Sequence, residues 1–361
     1  MSNKLKIAVI GCGGILTWAH LPGYIEIDNI EIVAFCDIIP EKAETAAKKY
    51  AEEKKLDTVP PVYENYKDVL AIPGLDAIDI CTPNYLHSII AVEALERGLN
   101  VLCEKPDAVS VAEAEKMKAA AEKNGKTLMV IRNNRFRGTS TFLKKHIEMG
   151  KMGEIYAARC GWQRRRGGPP HGSWFSDKAQ SGGGPLIDLG VHMIDLTMWL
   201  MGNPKPVSVT GCTYSKFGNT DIEDSVHSKF GEKSASGTFD VEDLAMGFIR
   251  FENGATLQLE FSWASNIEGE CKFFELRGTK SGTVWKNGSR LRINTEDEMG
   301  LLDLEPHYGG GKQNHAGNLA HFADVVLNGV EPMFVPEQGL NMVKILEALY
   351  KSAECGHEII L

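Results

Sequence analysis

Residues 5–16 read LKIAVIGCGGIL, an apolar run rich in β-branched residues that ends in glycines. Such a run is typical of a buried parallel strand followed by a tight turn and a helix. Gly11 would permit the turn, and Gly13 would let the backbone approach a pyrophosphate that binds the free N–H groups of the helix start. The pattern predicts a dinucleotide-binding fold, although Leu16 stands where the fingerprint usually has Gly or Ala. A purely structural glycine turn is the alternative interpretation.

A second strand-like run, Ile30–Cys36, ends at Asp37. Asp37 follows Gly13 at close to the spacing at which dinucleotide-binding folds place a carboxylate that binds the adenosine ribose hydroxyls. The two residues after Asp37 are isoleucines, which offer no cation for a 2′-phosphate. The sequence therefore predicts NAD as the cofactor and makes NADP the less favoured choice. A helix N-cap before Pro40 is the alternative role of Asp37.

The rest of the first 130 residues alternates short apolar runs with helical patterns. Alternation of this kind indicates βαβ units and a parallel sheet. The predicted strands are Leu5–Ile10, Ile30–Cys36, Ala77–Cys81, Asn100–Cys103 and Leu128–Ile131, and the predicted helices are Pro40–Lys54, Tyr85–Arg97 and Val111–Lys123.

After about residue 150 the pattern changes to longer strands that alternate polar and apolar residues, which favours an antiparallel sheet. Asn253-Gly254 joins two of them and predicts a type I′ hairpin turn. We therefore predict an α/β protein with a Rossmann domain over residues 1–130 and an α+β domain over residues 131–361. The second domain is expected to have a large, mostly antiparallel open sheet and a last helix able to pack back on the first domain. A ligand is expected in the crevice between the domains. The strands of the second domain are predicted at 155–161, 207–214, 244–251, 256–263, 273–277, 282–286 and 290–294, and its helices at 314–327 and 336–355.

Composition and charge narrow the class of protein. The chain has 361 residues, of which 43% are hydrophobic and 24% are charged, so it is typical of a globular protein. Its formal net charge of −9 argues against nucleic acid as a partner. No apolar run approaches the roughly 18 residues needed to span a bilayer, and the N-terminus lacks a signal-peptide cleavage pattern. The eight cysteines occur singly, without zinc-site spacing, so we expect a reduced, cytoplasmic protein that binds no membrane.

Two groups of polar residues follow neighbouring strands of the predicted parallel sheet. Thr82, Asn84 and His87 follow one strand, and Glu104 and Lys105 follow the next. Because the carboxyl ends of parallel strands meet at one edge of the sheet, these side chains are expected where a nicotinamide would bind. Helix capping by Thr82 or Asn84, and an exposed ion pair between Glu104 and Lys105, are the alternatives.

A further motif, GGGPLIDLGVHMID at residues 182–195, places Asp188 and His192 four residues apart. On a helix these two residues share one face. A histidine beside a carboxylate is a general-base arrangement, because the carboxylate can fix the tautomer and raise the basicity of the imidazole. A pair of metal ligands and a buried core histidine are the alternatives. No other clustered set with ligand spacing supports a metal, so we expect none.

In this order the motifs resemble those of the Gfo/Idh/MocA oxidoreductase family, over nearly the whole chain. Asn133 with Arg135 is similar to the family's segment between the domains, and the chain end from Pro336 to Gly356 also fits. The resemblance rests mainly on the glycine turn, Thr82-Pro83-Asn84 with His87, the tripeptide Glu104-Lys105-Pro106, and Asp188-Leu189-Gly190-Val191-His192.

The resemblance implies an NAD(P)-binding domain, hydride transfer at a secondary alcohol of a sugar or polyol, and a homodimer, homotetramer or larger homo-oligomer. Lys105 would polarise the substrate oxygen and contact the cofactor, and His192 would take the hydroxyl proton with support from Asp188. The residues expected to bind the cofactor are Gly11, Gly13, Gly14, Ile15, Asp37, Thr82, Asn84, His87, Glu104, Lys105 and Asn133.

The substrate side is defined by aromatic and basic residues of the second domain. Tryptophan faces stack on pyranose C–H faces, and arginines can form forked hydrogen bonds with a carboxylate or phosphate. For each arginine of residues 164–166, a place in a solvated basic loop is the alternative. The residues expected to bind substrate are Arg135, Trp162, Arg164, His171 and Trp174, together with Asp188 and His192.

Three functions remain open at this point. The first is net NAD-dependent oxidation of a sugar, a glycoside (with C3 as the candidate position) or a polyol such as an inositol. The second is an NAD-recycling glycosidase, in which transient ring oxidation acidifies the neighbouring C–H and permits elimination. The third is a non-catalytic, nucleotide-dependent binding or regulatory protein, which would need neither Lys105 nor His192.

Overall fold

The computed structural model describes residues 4–170, 172–218, 238–288, 290–309 and 314–361. Within these ranges the chain forms two compact units, one from residues of 1–136 and 312–340, the other from residues of 137–311 and 341–361. The first unit extends slightly past the expected boundary at residue 130. It also takes in 312–340, a segment that the sequence analysis had assigned to the second domain.

The first unit is built on a parallel sheet whose strand order is β3-β2-β1-β4-β5-β6, the order of the Rossmann fold. The predicted parallel sheet is therefore confirmed, and the bounds of its five predicted strands differ by at most one residue. Two short elements, β3 and α3, lacked a clear sequence pattern. The elements are β1 (Leu5–Ile10), α1 (Leu21–Glu26), β2 (Ile30–Cys36), α2 (Pro40–Lys54), β3 (Val62–Tyr63), α3 (Tyr66–Val69), β4 (Ala77–Ile80), α4 (His87–Glu96), β5 (Asn100–Cys103), α5 (Val111–Asn124) and β6 (Leu128–Val130).

The second unit is built on a sheet whose described strands follow the order β14-β13-β12-β11-β7-β10-β9-β8-β15. Its elements, together with α9 of the first unit and the α10 helix whose start also belongs there, are α6 (Gly138–Glu148), β7 (Ile155–Gln163), α7 (Lys178–Ser181), α8 (Val191–Leu200), β8 (Pro206–Tyr214), β9 (Leu244–Phe251), β10 (Thr256–Ser262), β11 (Cys271–Gly278), β12 (Ser281–Lys286), β13 (Arg292–Asp297), β14 (Gly300–Leu304), α9 (Asn314–Asn328), α10 (Pro336–Cys355) and β15 (Ile359–Ile360).

This second sheet is mostly antiparallel, as predicted, but its centre is not. Strands β7 and β10 pair in parallel, from Thr256 opposite Ala157 to Ser262 opposite Gln163. Parallel neighbours need a long connection, and here the chain between them forms α7, α8, β8 and β9. The sheet is therefore mixed.

The hairpin between β9 and β10 also differs from the prediction. A type I′ turn needs positive φ at both central residues. Only Gly254 has it, at 83°, while the Asn253 side chain accepts a hydrogen bond from Ala255 N–H at 3.1 Å. Phe251 N–H donates to Ala255 O at 3.0 Å, which closes a three-residue loop with glycine at the left-handed position.

The cysteines and the helices show two further features of the described residues. All eight cysteines are free thiols, and those in strand-like runs, such as Cys36 and Cys103, are buried. Within the described ranges, no helix combines the length and the apolar character that crossing a membrane requires.

Helix α9 completes the first unit by packing against α1. A Cβ on Gly23 of α1 would lie 2.8 Å from Leu319 Cδ1 and 3.2 Å from Ala316 Cα. A side chain there would thus collide with α9, and glycine permits the close approach. Leu319 is fully buried as a result.

A buried polar cluster joins the ends of three neighbouring strands of the first sheet. His20, which follows β1 in a π-helical segment, donates from Nδ1 to Asp79 at 2.7 Å and from Nε2 to Glu104 at 2.8 Å. Asp79 lies in β4, and Glu104 follows β5. Tyr24 also donates to Asp79, at 2.8 Å. Because each ring nitrogen faces a carboxylate oxygen, which accepts, we infer that both nitrogens donate and that His20 is an imidazolium bridging two carboxylates.

The charges in this cluster depend on one another. Burial lowers the pKa of His20, but the Asp79 carboxylate and its hydrogen bond outweigh this and raise it well above 6.5. Burial likewise raises the pKa of Glu104, but the hydrogen bond and charge of His20 outweigh it and hold the value at about 2. His315, with Nε2 3.7 Å from Glu104 Oε1, has its pKa lowered to about 4 by burial, so it stays neutral. The cluster therefore holds one cation between two carboxylates at neutral pH, a formal net charge of −1.

We predict that His20→Gln strongly destabilises the first unit. The variant keeps a hydrogen-bonding side chain but leaves two buried carboxylates without a cation, a loss of roughly 3–5 kcal/mol in the free energy of unfolding. Glu104 has a lower pKa folded than unfolded, so its stabilisation is present above pH 4.5 and is lost as the pH falls toward 2. The penalty of His20→Gln should therefore be large at pH 6 and smaller at pH 4.

Urea unfolding at the two pH values measures this difference. Tyr24→Phe is the matched control, because it removes one hydrogen bond to the Asp79 carboxylate without removing a charge and should cost about 1.5–3 kcal/mol. If His20→Gln costs no more than Tyr24→Phe at pH 6, His20 carries no compensating charge.

Candidate functional site

The glycine turn after β1 is shaped by the end of the neighbouring strand. Gly11 has φ of 96°, and a Cβ there would lie 2.6 Å from the carbonyl carbon and oxygen of Cys81. No described atom lies within 4 Å of the place where Gly13 would carry a Cβ, so the backbone can be approached closely. Gly14 and Ile15 are the first helical residues after the turn. The turn thus has the backbone that pyrophosphate binding requires.

Leu16, the departure from the fingerprint, is fully buried at the start of the wider π-helical segment Leu16–His20. The third fingerprint residue is usually small because helix and strand pack closely there. In this chain Leu16 occupies that position, and the helix is π-helical there, with a wider turn than an α-helix.

Asp37 is held beside the glycine turn by two backbone donors. Its Oδ2 accepts from Cys12 N–H at 2.7 Å, and its Oδ1 accepts from Ile39 N–H at 2.9 Å. The side chain is half-buried. A carboxylate in this place can accept further hydrogen bonds from ribose hydroxyls, because each oxygen has a second lone pair.

Some buried side-chain atoms near the ends of β4 and β6 lack hydrogen-bond partners among the described residues, and two of them belong to residues expected to bind the cofactor. They are Thr82 Oγ1 and Asn133 Oδ1. Buried polar atoms in native proteins are nearly always paired, so each indicates a missing ligand or water. With the glycine turn and Asp37, these atoms fit a bound NAD. Asn84, also expected to bind the cofactor, is buried in a short 3-10 turn, Asn84–Leu86.

Two residues expected to bind the cofactor, His87 and Glu104, instead form hydrogen bonds with other residues of the expected cofactor site. His87 is fully buried, with its ring nitrogens 2.7 Å from Pro106 O and 3.0 Å from Thr82 O. Glu104 is 4% exposed and uses its second oxygen to accept from Lys105 N–H at 3.0 Å. These side chains therefore hold Thr82 and Lys105 in place, and their hydrogen bonds favour this structural role over direct cofactor binding.

In the second unit, the glycine-rich loop before α8 is held by a buried glutamate. Glu242 accepts from Gly184 N–H at 2.9 Å and from Leu186 N–H at 3.1 Å. Tyr350 also donates to it, at 3.0 Å. A Cβ on Gly183 would collide with the Tyr350 hydroxyl, and one on Gly184 with the Glu242 carbonyl. The glycines are therefore needed so that the loop can reach this acceptor.

The loop leads into a π-helical turn, Leu186–Gly190, and then α8. Across residues 183–200 every residue is buried except Asp188 and His192, which are half-buried. Asp188 accepts from the buried Trp263 indole at 3.0 Å, and the ring of His192 lies 6.3 Å from that of Trp162. Asp188 and His192 are thus the residues of this stretch that remain accessible, and their pairing as a catalytic base and its carboxylate stays a prediction.

Trp162 is bordered by charged residues that the sequence analysis had only partly identified. Lys272 Nζ lies 3.7 Å from its ring centroid, and the guanidinium carbon of Arg164 lies 4.8 Å from it. The indole N–H donates to Glu270 Oε1 at 2.6 Å. At least one face of Trp162 is thus occupied by a cation rather than open to a pyranose.

The remaining residues expected to bind substrate are placed differently. Arg135, in the first unit, is 1% exposed and donates to Met333 O and to Gln338 Oε1, so its position contradicts a direct substrate contact. Trp174 stacks on Phe175 with ring centroids 3.8 Å apart. His171 lies outside the described residues.

Several residues of these sites were missed by sequence reasoning. Asp79 carried a usable signal, because an acidic residue inside the apolar strand AIDI requires a buried cation. Its partner His20 lies far away in sequence and could not be identified from periodicity. Lys272, Glu270 and Glu242 gave no local signal.

Comparison with known proteins identifies the family of both units. The Gfo/Idh/MocA model of the oxidoreductase family's NAD-binding Rossmann fold matches residues 5–132. The model of the Gfo/Idh/MocA C-terminal domain matches residues 141–284.

Similar proteins cover most or all of the chain. D-glucoside 3-dehydrogenase of Escherichia coli strain K12 is 32% identical over 361 residues, covering 100% of this chain and 98% of the relative. Levoglucosan dehydrogenase of Pseudarthrobacter phenanthrenivorans is 30% identical over 300 residues, covering 78% of this chain and 74% of the relative. The crystal structure of GenD2 from gentamicin A biosynthesis, in complex with NAD, is 26% identical with a TM-score of 0.78, covering 100% of this chain and 97% of that one. Because both domain models match in order and a relative of the same extent is this similar, the chain belongs to the Gfo/Idh/MocA family of NAD-binding oxidoreductases.

Proposed function

We propose that this protein oxidises a secondary hydroxyl of a sugar, glycoside or polyol and transfers the hydride to NAD, with C3 of a glycoside as the candidate position. The observation that carries the proposal is the accessible pair of Asp188 and His192 on an otherwise buried helix start. The full-length similarity to a D-glucoside 3-dehydrogenase supports a glycoside as the first substrate class to test.

NAD, when bound, supplies a hydride acceptor. The glycine turn would hold its pyrophosphate, and Asp37 its adenosine ribose. Thr82 and Asn133 offer the unpaired oxygen atoms described above for the remainder of the cofactor. Lys105 would place its ammonium at the substrate oxygen, with its backbone fixed by the hydrogen bond from Lys105 N–H to Glu104.

In the proposed reaction a ring nitrogen of His192 accepts the hydroxyl proton as the C–H hydride leaves. Asp188 would stabilise the imidazolium that forms, and its own orientation is fixed by the hydrogen bond from Trp263. Acid–base assistance of this kind is typically worth about 10²–10⁴-fold in rate. Both residues therefore act on the proton, while Lys105 acts on the oxygen.

We expect steady NADH formation when the protein is given NAD and a glycoside. Absorbance at the NADH band measures it, and a panel of glucosides, aldoses and inositols identifies the substrate class. His192→Asn should reduce turnover by about 10²–10⁴-fold, since an amide hydrogen-bonds without taking a proton. Lys105→Met should also reduce turnover, with little change in thermal stability.

The same experiment separates the alternatives. Release of the aglycone without NADH accumulation would favour the NAD-recycling glycosidase. NAD binding without turnover of any sugar, equally in wild type and His192→Asn, would favour the regulatory protein. Full activity of His192→Asn would exclude His192 as the base.

The preference for NAD over NADP rests on Asp37, whose carboxylate would repel a 2′-phosphate. Asp37→Ser should narrow the preference mainly by weakening NAD binding. Fluorescence titration with NADH and NADPH measures both affinities. Asp57→Ser, at an exposed position away from the turn, controls for the general loss of a negative charge. Tighter binding of NADPH than of NADH by the wild type would overturn the assignment.

We also propose a cytoplasmic homo-oligomer. The outermost described strand of the second sheet, β14, exposes a row of large apolar side chains that an interface would cover. Sedimentation velocity should therefore give a particle larger than the 39.7 kDa chain. A monomer at micromolar concentration would contradict this. The side chains concerned are Leu301, Leu302 and Leu304, with Met299 in the preceding turn.

A further inference from the structure

Positive charge is in excess around Trp162. Lys272 and Arg164 lie 3.7 and 4.8 Å from the centroid of this one ring, on neighbouring strand ends. Glu270 is the carboxylate close to both cations. Its Oε1 lies 3.7 Å from Arg164 Nε, and the same oxygen accepts the hydrogen bond from the Trp162 indole N–H at 2.6 Å. Glu270, already engaged with a neutral donor, thus interacts with two cations, and the Asp188 carboxylate is a second negative charge near Arg164.

A third cation, Arg137, lies nearby: its guanidinium carbon is 6.0 Å from the ring centroid of Trp285, which is paired with Phe274, two residues after Lys272 in β11. Its charge also lowers the pKa of Lys272. Arg137 Nε and Arg164 Nε are buried and have no hydrogen-bond acceptor among the described residues. Arg164 is only 5% exposed. Buried N–H donors that lack acceptors are costly, because they have lost their hydration. An oxygen-rich ligand would satisfy them.

The pKa of Lys272 is lowered by its burial and by the neighbouring cations. Burial, with smaller contributions from the charges of Arg137 and Arg164, lowers the pKa of its ammonium to about 7, although Glu270 raises it. A second negative group here would favour the charged form of the lysine again. Binding of an anion should therefore be accompanied by proton uptake.

The position of the cluster relates it to the proposed base. Lys272 is paired with Trp162 across β7 and β11, so both side chains lie on one face of the sheet. The ring of His192 is 6.3 Å from that of Trp162. A group bound at these cations would therefore be part of a ligand whose remainder reaches His192.

We propose that Arg137, Arg164 and Lys272 form an anion subsite, which selects a sugar substrate carrying a carboxylate or phosphate group. The sugar part of this statement rests on the proposed function, whereas the anion preference rests on the cluster alone. Guanidinium groups match the planar, two-oxygen geometry of these anions.

Paired ligands test the proposal by calorimetry in the presence of NAD. Methyl β-D-glucuronide is compared with methyl β-D-glucoside, which differs only at C6, and D-glucose 6-phosphate with D-glucose. At pH 6.5 we expect one or both anionic ligands to bind at least 10-fold more tightly than the neutral partner. The pair with the larger ratio distinguishes a carboxylate from a phosphate.

Lys272→Met should reduce this ratio about 10-fold, and Lys272→Arg should largely keep it. Lys280→Met is the matched control, because it removes a lysine from an exposed turn of the same unit and should leave the ratio unchanged. The wild-type ratio should fall as the pH rises from 6.5 to 9, since Lys272 loses its proton. Titrations at pH 8 in two buffers of different ionisation enthalpy should show proton uptake with the anionic ligands only.

Each outcome bears on one proposal or the other. Equal affinity for charged and neutral partners, or an unchanged ratio in Lys272→Met, would overturn the anion subsite even if both sugars are oxidised. Selective binding of an anionic sugar without NADH formation would support the subsite and contradict the proposed oxidation. Absence of binding by all four ligands would count against both.

Discussion

One buried imidazolium organises the end of the first sheet. His20 bridges a carboxylate inside β4 and another just after β5, so three neighbouring strands share one charge network. Either carboxylate alone would be costly to bury, and together they are tolerated because the cation lies between them. Glu104 then accepts the Lys105 backbone N–H, which connects the network to the proposed catalytic lysine. The geometry of the site thus depends on electrostatic compensation inside the core.

The second unit also buries a carboxyl group, that of Glu242, but its hydrogen-bond donors are neutral groups. Glu242 is buried among backbone N–H groups and the Tyr350 hydroxyl, and burial raises the pKa of its carboxyl. The hydrogen bonds fix a loop that has no side chains of its own to pack. Because this loop starts the helix with Asp188 and His192, a residue remote in sequence determines where the proposed base lies.

Local sequence signals predicted much of this structure. The features that could not be predicted depend on pairing between distant parts of the chain. The strand Leu5–Ile10 follows from a continuous apolar, β-branched run, and the placement of Asp188 and His192 at the start of a helix follows from the 3.6-residue period; a sequence displays both directly. The parallel pairing of β7 and β10 does not follow from such a pattern, since it depends on which distant strands meet. Arg135 shows the same limit: a basic residue in a family-like segment looked suited to substrate, yet its guanidinium is buried against backbone 198 residues away.

The return of α9 to the first sheet has a consequence for biosynthesis. Gly23 and Leu319 lie against each other, yet nearly the whole second unit is translated between them. Domains usually fold in order as they leave the ribosome. Here the amino-terminal sheet must wait with the α1 surface uncovered until residues beyond 312 emerge, so the second unit is complete in sequence, apart from its final segment, before the first can close. A nascent chain halted near residue 136 would expose this surface to chaperones.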